Sequence, residues 1–174
     1  MERRDFLGSL RASDAGEVSG IAAPYDAPTE YAGLSESFAR GVFRETLDGD
    51  ADVLALAHHD ASKVLGRRAS STLRLQDAEE GLRFTLSLPD TELGREMRHL
   101  VGRGDIRGVS AGFNVLDDVR DGRSRVIKRA ALVEISLVAM PAYGSTSVSV
   151  TRSRAGDHRR LRHADLIIST FRPL

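Results

Sequence analysis

The 174-residue sequence contains no cysteine. Disulfide staples, thiol nucleophiles and cysteine-ligated metals are therefore excluded, and the chain suits a reducing compartment. No apolar run approaches the roughly 18 residues that a membrane-spanning helix needs. An excess of one charge sign is also missing. Lys and Arg number 25 and Asp and Glu number 25, a balance that argues against a protein built to grip nucleic acid. There is no internal repeat and no low-complexity block. The opening stretch Met1–Gly8 has charges with no long apolar core behind them, so it does not read as a secretory signal.

What remains is an ordinary globular composition, 41% hydrophobic and 29% charged, in a chain long enough for one domain with a sizeable core. Residues 1–15 read as a polar lead-in, 16–150 as the main domain and 151–174 as an Arg-rich tail. Within that tail Arg152, Arg154, Arg159, Arg160 and Arg162 face a single acid, Asp157. The segment reads as a solvated tail or as a surface for an acidic partner.

Strand patterns dominate. Glu17–Ala23 is extended and is closed by the Pro24/Pro28 loop. A short extended piece follows at Ser35–Phe38, and Gly41–Leu47 suits one or two helical turns. Asp52–His58 is a mostly apolar strand of the kind buried on both faces. Thr72–Leu75 and Leu82–Leu88 alternate with period two around a turn at 77–81, which predicts a hairpin. Pro89–Glu92 opens a helix carrying Leu93, Met97, Leu100 and Val101, ended by Gly102 and Gly104. Gly108–Asp117 alternates again, Asp121-Gly122 turns the chain, and Ser124–Lys128 returns. Ala131–Ala139 is the most apolar stretch. Pro141 breaks it, and Ser147–Val150 suits a last short strand. Helices are not interleaved between strand pairs, so a doubly wound parallel sheet is not expected. The expected class is mainly β with peripheral helices (α+β), as an antiparallel barrel or sandwich.

Three polar features interrupt this apolar pattern. His58-His59-Asp60 ends the buried strand, where a histidine either projects into a cleft or sits on a surface turn. Two adjacent histidines raise a metal site, yet strand neighbours point to opposite faces and would not converge on one ion. Gly108-Val109-Ser110-Ala111-Gly112 has the G-x-S-x-G pattern of an α/β-hydrolase nucleophile elbow. An elbow needs a helix after its serine, whereas Phe113–Leu116 continues as strand, and the later histidines are only His158 and His163. The glycines either allow close approach to Ser110 or mark a bulge with an incidental serine. Glu134 lies within Leu132–Val138. A carboxylate there must be paired, protonated or on a water-facing edge.

Taken together the three make chemical sense. A serine hydroxyl is a poor nucleophile until a base takes its proton. His59 can be that base, and Glu134 can fix its tautomer and stabilise the imidazolium.

The sequence resembles the tailed-phage prohead protease family, itself related to the herpesvirus assembly proteases. The residues that carry the resemblance run from Gly20-Ile21-Ala22 through Glu36-Ser37-Phe38-Ala39-Arg40-Gly41-Val42-Phe43, His59-Asp60 and Val64-Leu65-Gly66-Arg67. They continue through Thr72–Leu75, Gly81-Leu82, Leu88–Thr91, Gly104–Phe113 and Glu134–Ala142. The resemblance implies a catalytic triad of Ser110, His59 and Glu134 and a herpesvirus-protease-type β-barrel with helices around it, so that 16–150 is the protease domain. It implies a serine endopeptidase that cleaves the scaffold region of the major capsid protein, and itself, inside the assembling prohead in the host bacterial cytoplasm. No metal and no cofactor are implied, nor a membrane or specific nucleic-acid partner, and the herpesvirus relatives point to self-association as a dimer. Ala111 stands where the family commonly carries a bulkier residue, often phenylalanine, which bears on pocket shape. Residues after Val150 have no counterpart in the resemblance. Two other readings are a non-catalytic assembly or scaffold-binding module on the same fold, and a small esterase drawing a histidine from the tail.

Overall fold

The structure, a computed structural model, describes residues 1–7, 10–13 and 16–139. The expected strand at 147–150, the break at Pro141 and the Arg-rich tail lie outside the described residues. In chain order the elements are β1 (Glu2–Leu7), β2 (Arg11–Ala12), β3 (Glu17–Pro24), β4 (Thr29–Tyr31), β5 (Leu34–Phe38) and α1 (Arg44–Asp48). There follow β6 (Leu54–Ala57), β7 (Asp60–Arg67), β8 (Leu73–Asp77), β9 (Gly81–Ser87), α2 (Glu92–Arg103), β10 (Gly108–Asp121) and β11 (Ser124–Val138).

The mainly β expectation holds, and the predicted hairpin appears as β8 and β9 paired antiparallel. Leu82, Phe84 and Leu86 point into the core while Arg83 between them is exposed, the period-two pattern of a half-buried strand. Helix α2 starts at the predicted cap, where Thr91 Oγ1 accepts from the Gly94 N–H at 3.2 Å. It ends at Gly104 in the left-handed conformation, φ +81°, as a C-terminal glycine should.

Two sheets sandwich the core. The first runs β1-β10-β11-β5-β4, with β6 also on β11 and β7 on β6; the second runs β2-β3-β9-β8. Strand β11 is one continuous element where the sequence suggested two. Its first part pairs parallel with β5 at 124–127, and its last part pairs parallel with β6 at 134–137. These parallel pairings branch the first sheet. Hydrogen bonding therefore leaves both sheets open among the described residues and does not close them into an antiparallel barrel.

Residues 1–7 are not merely a lead-in. Strand β1 pairs antiparallel with β10 from Glu2 opposite Phe113 to Leu7 opposite Gly108. It is held by Phe6, which packs edge-on to Phe38 at 6.0 Å, and by buried Arg4, which donates to Glu36 at 2.5 and 3.0 Å. Phe38 in turn meets Phe113 at 5.1 Å and Phe43 at 5.6 Å. This aromatic cluster, worth about 0.5–1.5 kcal/mol per pair beyond burial, fixes one face of β10. The opposite face carries Ser110.

Candidate active site

His59 sits in a hairpin turn. Strand β6 ends at Ala57, which pairs with Asp60 of β7, so only His58 and His59 form the loop. Both have positive φ, 52° and 61°, as a type I′ hairpin requires at its two central residues. Asn-Gly is the usual occupant. Histidine there costs roughly 1–3 kcal/mol of backbone strain per residue, a cost that tends to persist at functional sites. The turn is anchored on both sides. The His58 N–H donates to the Leu137 carbonyl of β11 at 3.0 Å, and Asp60 Oδ1 accepts from the Ser62 N–H and hydroxyl at 2.9 and 2.6 Å. His58 is exposed, while His59 is turned over the sheet and is 21% exposed.

Glu134 is buried on β11, with 4% of its side chain exposed. His59 Nδ1–H donates to its Oε1 at 2.9 Å. This bond assigns the tautomer that leaves Nε2 available as an acceptor. Ser136 Oγ donates to Oε2 at 2.5 Å, and Arg3 Nε of β1 lies 3.3 Å from Oε1. Both oxygens are thus engaged, as a buried carboxylate demands. Glu134 pairs with Gly112 across β10 and β11. A Cβ at position 112 would lie 2.7 Å from Glu134 Oε1 and 2.8 Å from its Cγ. The second glycine of G-x-S-x-G therefore makes room for the acid.

Ser110 is opposite Asp5 of β1 and Ser136 of β11. Side chains two apart on a strand share a face, so Ser110, Gly112, Glu134, Ser136, Asp5 and Arg3 all lie on the face over which His59 is turned. Ser110 is fully buried, and its Oγ has no hydrogen-bond partner among the described residues. The histidine–carboxylate half of the arrangement is formed, and the serine–histidine hydrogen bond is not. An orphaned buried hydroxyl costs roughly 1–3 kcal/mol, and a native group left so is worth explaining by function. His59 Nε2, the nitrogen that would serve the serine, lies 3.7 Å from Asp5 Oδ1. Beside these groups Asp5, His58, His59, Val138 and Ala139 line an open depression of about 300 Å³. Among the described residues no three His, Cys, Asp or Glu side chains gather as metal ligands.

The model of the caudovirus prohead serine proteases matches residues 8–160 of this sequence. The chain belongs to that family. Its members are serine proteases of phage capsid maturation, acting with capsid proteins in the assembling prohead. No curated protein and no solved structure matches the chain.

Of the residues gathered at this candidate site, sequence reasoning missed Ser136, Arg3 and Asp5 and gave Gly112 a different role. Ser136 was legible, because the two-residue spacing in Glu134-Ile135-Ser136 puts both side chains on one face of a strand. Gly112 was singled out, with a different reason attached. Arg3 and Asp5 left no local signal, because their strand has no apolar alternation.

Proposed function

We propose that this chain is a serine endopeptidase with Ser110 as nucleophile, His59 as general base and acid, and Glu134 as the orienting carboxylate. The observation that carries the reading is the 2.9 Å bond from His59 to a carboxylate buried on the face that also bears Ser110. In acylation His59 Nε2 takes the Ser110 Oγ proton as Oγ bonds the scissile carbonyl carbon. The resulting imidazolium is held by Glu134 and returns the proton to the amide nitrogen as the C–N bond breaks. Water then attacks the acyl-serine ester with the same histidine as base, releasing the new carboxyl terminus and free Ser110. Proton transfer of this kind contributes on the order of 10²–10⁴ in rate. Ser110 Oγ must first come within hydrogen-bond reach of Nε2, a contact that often tightens only with substrate bound. The substrate is the scaffold region of the major capsid protein, with self-cleavage as a second event. The expectation of a dimer stays with this proposal.

The full burial of Ser110 favours one other reading, a non-catalytic assembly module on the same fold. A fluorophosphonate probe followed by peptide mapping separates the two. An adduct on Ser110 that disappears in His59→Ala supports the protease. An unlabelled Ser110 under conditions where capsid protein is cleaved would point to another nucleophile, and no cleavage at all would favour the module.

A further inference from the structure

We infer that Asp5 is a specificity-determining residue, the carboxylate that receives a lysine or arginine side chain on the acyl side of the scissile bond. The inference rests on the proposed Ser110–His59–Glu134 reading and names the class of peptide that this site takes. It concerns a strand that precedes residue 8, where the family match begins.

The alternation of β1 delivers Asp5 to the site. Arg4 and Phe6 are buried on one face of the strand, one in the Glu36 ion pair and the other against Phe38. Arg3, Asp5 and Leu7 therefore lie on the other face, the one that bears Ser110. Asp5 is the ladder partner of Ser110, and such partners stand roughly 4.5–5.5 Å apart between Cβ atoms. A residue whose carbonyl carbon bonds Ser110 Oγ thus has its side chain within reach of Asp5.

The open depression of about 300 Å³ lies at this point, lined by Asp5, His58, His59, Val138 and Ala139. Val138 and Ala139 give it an apolar side. Val138 pairs with Gly108, whose other ladder partner is the exposed Leu7. Asp5 is the one carboxylate among the described residues of the lining, which include no lysine or arginine. Arg3, the cation on the same face of β1, is directed at Glu134 at 3.3 Å. Asp5 faces His59 Nε2 at 3.7 Å and keeps 15% of its side chain exposed, so a cation in the depression can reach it with β1 in place. An apolar wall leading to a carboxylate matches an apolar stem with a positive head, which is the build of lysine and arginine. An acidic side chain would meet like charge there. The chain itself offers such side chains in residues 152–162, which hold five arginines, and the inference puts self-cleavage in that stretch.

The test is the rate at which Ser110 of the full chain is labelled by aryl phosphonate esters carrying a lysine, norleucine or glutamate side chain beside phosphorus. Norleucine has the stem of lysine without its charge. In the parent the lysine probe should react about tenfold faster than the norleucine probe, and the glutamate probe slowest of the three. In Asp5→Asn the lysine-to-norleucine ratio should fall to within about twofold of one, and Asp5→Glu should keep most of it. A ratio near one in the parent, or a ratio that survives in Asp5→Asn, would overturn the inference. If Asp5→Asn loses its cooperative melt, Asp5→Ser repeats the measurement. If both do, rising salt decides in the parent: screening should pull the ratio toward one, and a ratio indifferent to salt would overturn the inference. New termini made by the parent and not by Ser110→Ala, on co-expressed capsid protein or on the chain itself, should follow lysine or arginine, and termini that follow neither count against it. Failure of the underlying catalytic reading has a different signature. No probe, a fluorophosphonate included, then labels Ser110 in the parent, and the inference falls with that reading.

Discussion

Gly112 and Glu134 face each other across β10 and β11, and the carboxylate of Glu134 fills the space that any side chain at 112 would take. Gly112→Ala must therefore push the carboxylate away from His59 or open the ladder. Overpacking of this sort costs roughly 1–3 kcal/mol. Activity should fall further than stability suggests, by about 10²-fold or more, because in the proposed mechanism the displaced group orients the base. Thermal melts and probe-labelling rates check both numbers. A variant as active as the parent would show that the acid is not needed where it lies.

Ser136 holds the far oxygen of the same carboxylate. In Ser136→Ala that oxygen is buried without its donor, at a cost of roughly 1–3 kcal/mol. Ser110 should still be labelled, about tenfold more slowly, since the acid is loosened but present. If Ser136→Ala abolished labelling while Ser110→Ala did not, the two serines facing each other across the ladder would have to exchange roles.

The two histidines of the turn should respond oppositely to one substitution. Asparagine tolerates the left-handed conformation better than histidine, so His58→Asn should stabilise the hairpin by a few tenths to about 1 kcal/mol and leave Ser110 open to the probe. His59→Asn has the same backbone advantage but removes the proposed base, and labelling should be lost. Melting temperatures and labelling measured side by side test the pair.

Much of this site was legible because its chemistry contradicted its surroundings. Glu134 in an apolar strand, Ser110 between glycines and His59 after an apolar run each stood out locally. Strand β1 did not. Glu2, Arg3, Arg4 and Asp5 are four consecutive charges, and Arg4 is buried only because Glu36 waits 32 positions later. A pattern that treats charge as exposure cannot find such a strand. The same limit divided β11 in two at the exposed Lys128 and Arg129. It also hid the parallel pairing of β11 with β5 and β6, whose partners lie some 80–90 positions away in the chain. The sequence leaves His59 open between a strand end and a surface turn, since nothing local marks histidines for a conformation that asparagine and glycine usually take.

The charge cluster that ties β1 to the sheet sets an acid limit on stability. Arg125 donates to Glu36 at 2.9 Å, to Asp118 at 2.5 Å and to Glu2 at 3.1 and 3.2 Å. Burial opposes the ionisation of Glu2, but its bonds to Arg125 and Arg4 outweigh that and hold it below its ordinary 4.5. The Arg125 bond, aided by Arg120 against a smaller desolvation, holds Asp118 below its ordinary 3.8. Groups depressed in the folded state contribute stability that is full above their ordinary values and is lost as pH falls through the lowered ones. The melting temperature should therefore hold from neutral pH down to about 4.5 and drop below it. Asp118→Asn should start lower and lose less over that acid range. Melts from pH 7 to 3 in both proteins check this, and a parent curve that rises on acidification would contradict it.

The central claim is tested most directly by co-expressing the chain with the major capsid protein, as wild type and as Ser110→Ala, and comparing products by denaturing gel and mass spectrometry. The account predicts a defined truncation of the capsid protein with the wild type and none with the variant, both chains being equally folded. The same truncated product from both would contradict it.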